Sequence, residues 1–258
     1  MRVRTLVFWL AAAAAALPAA AQAPAADAPG FGIDPQANQI TAVVELFTSQ
    51  GCSSCPPADV VLKNLSSNPS ILALSFPVDY WDYLGWKDTF ASPRNSERQR
   101  AYAKARGDGA IYTPQAVING TVHVNGARTA DIANAIDVTV KSTALRRVPI
   151  QFWQERNTLN IAVGAASQGQ QVKEATVWLG VVQSSGTVDI KKGENAGQAL
   201  VYTNIVRDLT PIGLWKGQAM RIQIPRAAVM QPETQKSVVL IQEGKAGPII
   251  GAAWAGLF

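Results

Sequence analysis

Two textures divide the chain, and the change falls near Val148. Before it, apolar runs alternate with helical patterns. Gln39 to Thr48 is a β-branched and aromatic run closed by Ser49-Gln50-Gly51, which suits a strand. Asp59 to Leu65 carries Val60, Val61, Leu62 and Leu65, enough for a short helix with one apolar face, and Ser66-Ser67-Asn68-Pro69 ends it. Ile71 to Val78 is continuously apolar, as in a strand buried on both faces. Ser92-Pro93 reads as an N-cap with proline at the first helical position, and the helix runs to about Arg106 and stops at Gly107. It carries Arg94, Arg98, Arg100, Lys104 and Arg106 with little apolar surface, so a solvated charged face is expected there. A strand after Pro114 reaches Asn119-Gly120, a tight turn that joins antiparallel strands, and Val122 to Val124 returns. Ile132, Ile136 and Val140 share one face of a last helix, Thr129 to about Ser142.

After Val148 the helical period disappears. Val148–Trp153, Thr158–Gly164, Ala175–Gln183, Leu200–Arg207, Met220–Ile224, Ser237–Gln242 and Ile249–Trp254 are short alternating or apolar runs separated by turn residues. They predict an all-β antiparallel sandwich over about 147–258, following an α/β domain over about 39–145. Lys191 to Gly197 is a polar loop between two of these strands and reads as a hairpin connection.

The N-terminus changes the picture of where the protein works. Arg2 and Arg4 precede an apolar, Ala-rich stretch from Leu6 to Leu17, and Ala19-Ala20-Ala21 is a small-residue cleavage site. Residues 1–21 read as a signal peptide, 22–38 as a flexible Ala- and Pro-rich linker, and the mature protein as periplasmic or secreted. The apolar stretch is shorter than the ~20 residues a membrane-spanning helix needs, and no later segment qualifies, so an integral membrane protein is not expected. Losing Arg2 and Arg4 takes the formal charge from +5 to about +3, a mild excess that points to no nucleic acid and no particular partner.

Both cysteines of the chain lie in Cys52-Ser53-Ser54-Cys55, between the first strand and the first helix. A helix N-terminus carries partial positive charge and free N–H groups, which favour thiolate over thiol. A redox dithiol is therefore one reading. A structural bridge is another, although so small a loop removes little entropy from the unfolded chain. A metal site is a third, and it lacks ligands: zinc in structural sites takes four, and the chain offers one further candidate of the right type, its single histidine His123. Soft thiolates select Cu(I), so a copper-handling module would need His123 close to both sulfurs.

The element order, with a hairpin and helix closing a strand–helix–strand unit, is the thioredoxin arrangement. Thr113-Pro114 looks like the equivalent of the cis-proline that sits against the CxxC in thioredoxin-like proteins. The stretch Glu45 to Asp59, then Val78-Asp79-Tyr80-Trp81-Asp82, Gly85-Trp86, Tyr112-Thr113-Pro114-Gln115 and Gly193-Glu194-Asn195-Ala196-Gly197 together resemble the domain-of-unknown-function 1223 family, exported bacterial proteins with a thioredoxin-like N-terminal half. The resemblance carries the fold and no established reaction; the CxxC in this setting makes a periplasmic thiol–disulfide oxidoreductase with no dissociable cofactor the first hypothesis. Cys52 would be the exposed nucleophile and Cys55 the buried resolving thiol, with Thr113 and Pro114 offering backbone groups to an extended substrate. Its partners would be thiols or disulfides of exported clients, with a membrane electron donor or acceptor as a further one. A binding adaptor without turnover is the alternative within the same fold.

The chain departs from ordinary thioredoxins where Gly51 replaces the tryptophan before the first cysteine and where Pro56 and Pro57 follow the second. Thioredoxins keep a buried acid that moves the proton of the second cysteine, and Glu45 is the candidate here, one residue further from Cys52 than in that pattern. A carboxylate in a covered central strand needs neutralisation, so pairing with a nearby Lys or Arg is the competing reading. Tyr80, Trp81 and Trp86, in an aromatic and acidic loop, are candidate substrate-binding residues.

Overall fold

The computed structural model describes residues 40–143, 147–167, 169, 173–228 and 236–255. The expected signal peptide and linker lie outside the described residues. The element order over the first half is β1 (Ala42–Thr48), α1 (Pro56–Leu65), β2 (Ile71–Pro77), α2 (Pro93–Arg106), β3 (Gln115–Ile118), β4 (Val122–Asn125) and α3 (Thr129–Thr143). β1 runs parallel to β2 and antiparallel to β3, with Glu45 opposite Leu74 on one side and Val117 on the other. Every residue of β1 is buried, as its β-branched and aromatic composition requires. One face packs Val44 and Leu46 against Ala58 and Leu62 of α1 and Ile132 and Ala135 of α3. The other packs Val43 and Phe47 against Tyr102 of α2.

Local chemistry sets the boundaries. The Ser92 hydroxyl accepts the Arg94 N–H to cap α2, and Gly107 ends that helix at φ +78°. Asn119 and Gly120 both have positive φ, the geometry of the tight hairpin turn that their sequence predicts.

All seven strands expected after Val148 are present: β5 (Ile150–Glu155), β6 (Thr158–Val163), β7 (Ala175–Asp189), β8 (Ala199–Trp215), β9 (Met220–Pro225), β10 (Lys236–Glu243) and β11 (Ile249–Ala255). Their layout differs from a free-standing sandwich. β7, β8, β10 and β11 continue the sheet of the first half in the order β11-β10-β7-β8-β2-β1-β3-β4, and β5-β6-β9 form a separate antiparallel sheet. The join is made at the open edge of β2, where Ser75 pairs in parallel with Ile205 of β8. The result is a mixed α/β architecture: an eight-stranded mixed sheet, three helices and a three-stranded antiparallel sheet. The small sheet still packs face to face on the large one, with Leu159, Ile161 and Val163 against Val177, Val239 and Ile241. β7 and β8 are about twice as long as their apolar runs suggested. Their outer arms project past the sheet as a two-stranded ribbon paired through Asp189 and Ala199.

Candidate functional site

The site begins where β1 ends. Ser49 turns the chain: its hydroxyl accepts the Gly51 N–H and its carbonyl accepts the Cys52 N–H. Gly51 has no side chain because Trp81 lies there; a Cβ would come 3.1 Å from the Trp81 Cβ. Cys52 and Cys55 are joined by a disulfide, with their Cα atoms 5.4 Å apart. Cys55 is the N-cap residue of α1, and Pro56 and Pro57 occupy its first positions, where a missing N–H costs nothing. A disulfide sulfur carries no proton, so the Ser54 hydroxyl, 3.4 Å from Cys52 Sγ, is the donor of that pair.

Thr113-Pro114 is brought to the same place by two contacts. The Trp81 indole N–H donates to Thr113 Oγ1 at 2.8 Å, so one ring spans from Gly51 to the Thr-Pro segment. Gly126, whose N–H donates to the Pro114 carbonyl, fills the gap between Pro114 and Ala58 in the first turn of α1. The Thr113–Pro114 peptide is cis. Trp86 is also tied down, donating its indole N–H to Gln50 Oε1 at 2.8 Å. Tyr80 stacks beside Trp81 and packs on the core. All three candidate substrate-binding aromatics are half-buried, and the exposed ring of this loop is Tyr83.

Two expectations are corrected. Cys52 is not the exposed cysteine of the thioredoxin pattern: its residue is only 1% accessible, and Cys55 is at 0%. The cover comes from the tip of the β7–β8 hairpin, residues 190–198. The Asn195 side-chain amide donates to the carbonyls of Gln50 (2.9 Å) and Cys52 (3.0 Å), and the Glu194 carboxylate accepts the Ser53 N–H (3.2 Å). Glu45, the candidate base, is bonded to Arg98 of α2 instead: Nη2 and Nε lie 2.7 and 3.1 Å from Oε1. Arg98 also donates to the Tyr102 hydroxyl and to Gln242 of β10, and its guanidinium lies over the Tyr102 ring. So the charged face of α2 is partly buried, and Glu45 belongs to the scaffold. A buried carboxylate needs a partner, and here Arg98 of α2 supplies it.

The acid near the cysteines is one that sequence reasoning passed over. Asp59 lies one turn beyond Cys55 on α1, its N–H donating to the Cys55 carbonyl. Residues four apart on a helix are neighbours. Its carboxylate accepts from the Thr48 hydroxyl at 3.2 Å, while Oδ1 is buried with no hydrogen-bond partner among the described residues. Burial pushes Asp59 well above the usual carboxylate range; the Thr48 bond opposes this and nearby Asp88 adds to it. Burial pushes Asp88 up to about 6, even though it accepts backbone N–H bonds from Gln50, Phe90 and Ala91. Tyr202, buried on β8, is pushed up by burial and then by both aspartates. An acid in the first turn of a helix is an ordinary sign of a helix start; its spacing of four from Cys55 was the available signal.

The copper reading requires His123 at the sulfurs. Its Nδ1 instead pairs with the Tyr112 hydroxyl at 2.9 Å and its Nε2 faces Asp108 at 3.2 Å. Among the described residues, no three metal-ligating side chains converge.

The model of a family described as "Protein of unknown function (DUF1223)" matches residues 43–242, most of the chain. The chain belongs to the DUF1223 family. A solved structure, protein AGR_C_4864 from Agrobacterium tumefaciens, is 35% identical, with a TM-score of 0.74 over 84% of this chain and 94% of its own. HBP35 of Porphyromonas gingivalis is similar in fold alone, at 14% identity and a TM-score of 0.57 over 84% of this chain and 74% of its own. No curated protein matches the chain. In this DUF1223 member the chemistry-bearing groups are those at the Cys52–Cys55 junction.

Proposed function

We propose that the protein is an exported thiol–disulfide oxidoreductase whose first half is a thioredoxin-like unit. The observation that carries this reading is the placement of the chain's only two cysteines: a disulfide at the strand–turn–helix junction, one turn from the buried acid Asp59. A bridge across four residues contributes little to stability, so its position is better explained by chemistry than by stapling. The order β1-α1-β2-α2-β3-β4-α3, with β1 parallel to β2 and antiparallel to β3, supports the thioredoxin-like assignment. The leader sequence supports action outside the cytoplasm.

In the oxidised protein, a client thiolate attacks Cys52 Sγ. The Cys52–Cys55 bond breaks, its electron pair goes to Cys55 Sγ, and Asp59 gives that sulfur a proton. A second client thiolate then attacks the client sulfur of the mixed disulfide, and Cys52 leaves as a thiolate to which Ser54 donates a hydrogen bond. One client disulfide forms, two electrons pass to the protein's pair, and solvent reprotonates Asp59. Run backwards, the same steps reduce a client disulfide, with Asp59 taking the proton of Cys55. Thr113 presents backbone groups to the extended client segment.

Trapping tests the reading. Cys55→Ala, expressed with its leader, is expected to hold clients through Cys52 as bands that disappear on reduction. Cys52→Ala should hold none. If the two variants give the same bands, or neither gives any, the pair does not exchange with clients.

A further inference from the structure

The β7–β8 tip does more than shade the cysteines. Among residues 191–199 only Asn195 is buried, at 1% accessibility; the others are exposed. Its amide nitrogen bridges the Gln50 and Cys52 carbonyls, and its Oδ1 accepts from Gln198, so the side chain is fully engaged. The neighbouring Glu194 brings an acceptor to the Ser53 N–H. The tip itself is closed by its own backbone bonds, Ile190 with Gln198 and Gly197 with Ile190. It is carried on a ribbon whose Tyr202 and Ile190 pack beside Trp86 and Phe90. Ile190 stays with that packed ribbon, whereas residues 191–198 are held to the site by the side-chain bonds of Asn195 and Glu194 and can leave as one piece.

The groups it covers are main-chain groups flanking Cys52: two acceptors and one donor. Asn195 supplies N–H and Glu194 supplies C–O, the same two functions that a peptide backbone offers to a strand edge. We propose that the hairpin tip is an internal stand-in for the client: it occupies the main-chain groups around Cys52 in the oxidised protein, and an extended peptide segment bearing a cysteine displaces it by making equivalent bonds. The substrate class follows from those groups. A polypeptide thiol can replace the tip's hydrogen bonds as it enters, whereas a small thiol has to open the site with nothing to put in their place. This rests on the oxidoreductase reading for its biological meaning, but the cover itself is testable without turnover.

Two measurements on the full mature protein decide it. The first is the rate at which dithiothreitol reduces the Cys52–Cys55 bond, read by quenching with an alkylating agent and mass analysis; one dithiothreitol is oxidised to its cyclic disulfide per pair reduced. Removing the two bonds of Asn195 with Asn195→Ala is expected to raise this rate about tenfold, since each buried neutral hydrogen bond contributes roughly 0.5–1.5 kcal/mol. Glu194→Ala, at an exposed position where folding is not at risk, should raise it about threefold, the smaller effect of one exposed contact. Rates within twofold of wild type in both variants overturn the cover. The second measurement compares thiols on the wild-type protein at equal thiolate concentration: a cysteine nonapeptide, the same peptide N-methylated on either side of its cysteine, and 2-mercaptoethanol. Two of these thiols are oxidised to one disulfide per pair reduced. The plain peptide is expected to be at least about tenfold faster than the other two, on the same hydrogen-bond magnitude. Equal rates for all three mean that the tip is a simple lid and the mimicry is wrong. A clear result here with no client trapped by Cys55→Ala would uphold the cover and remove the oxidoreductase reading; trapped clients with unchanged rates would do the reverse.

Discussion

Replacing Arg98 with methionine is expected to destabilise the protein by roughly 3–5 kcal/mol, the usual consequence of removing one partner of a buried ion pair. The Glu45 side chain is wholly buried and that of Arg98 is 8% accessible. Among the described residues, one Glu45 oxygen has no hydrogen-bond partner, and the other takes both of its bonds from Arg98. Without the guanidinium, β1 would hold an uncompensated carboxylate in the centre of the sheet, and the Tyr102 and Gln242 bonds to Arg98 would also go. Methionine keeps much of the aliphatic stem, so lost packing is a minor part. The double variant Glu45→Leu with Arg98→Met should recover most of the loss, because a buried pair replaced by apolar groups of similar size is often neutral or better. Urea unfolding followed by circular dichroism measures both. A single-variant loss below ~1 kcal/mol, in the range of an exposed pair, would show that water reaches the site. The cycle also bears on chemistry: Glu45→Gln should alter stability and leave the exchange rate of the folded protein unchanged.

Asp59→Asn is expected to slow exchange with a model disulfide by about a hundredfold, within the 10²–10⁴ typical of a positioned acid or base. Asparagine has nearly the same shape but can neither give nor take the proton of Cys55. For the oxidised protein the active form is the protonated acid, so the wild-type advantage should decline as pH rises through the raised Asp59 value, and the variant should lack that limb. Stability gives an independent sign. Asp59 titrates higher in the folded protein than in the unfolded chain. Its burial therefore has no effect well below ~3.9, where both states are protonated, and destabilises the fold as pH rises above that value. Relative to wild type, Asp59→Asn should melt at a higher temperature near neutral pH and converge with it in acid. Asp88 faces Asp59 and is itself pushed up to about 6, so the limb belongs to the two aspartates together and is read as an apparent value, while Tyr202, pushed higher still, stays protonated. An unchanged rate together with an unchanged pH profile would remove Asp59 from the mechanism.

What was legible in the sequence was whatever acts through neighbours in the chain. The buried strands from Ala42 and Ile71, the Ser92 cap, the Asn119-Gly120 turn and the strand–CxxC–helix junction all follow from local patterns. What was hidden acts across the chain. Arg98 looked solvated because a helix that buries an ion pair shows no apolar stripe; its partner is 53 residues away. The cover over Cys52 comes from 143 residues further on, where a polar loop has no periodicity to announce a buried asparagine. The layout of the second half was hidden for the same reason. Strand runs such as Leu200 to Arg207 tell that a strand exists but not which edge it will join, and that edge was β2.

The place of Gln242 bears on how such chains vary by descent. Gln242 sits on β10, yet it donates to the Tyr102 hydroxyl and accepts from Arg98, which in turn holds Glu45. A lineage that changed any one of these four positions would leave a buried polar group unanswered, and through Gln242 that group lies in the other half of the sequence. Recombination that joined the first half of one relative to the second half of another would meet the same penalty. Substitutions at 45, 98, 102 and 242 should therefore be inherited as a set, with relatives carrying all four residues or an apolar replacement of the whole group.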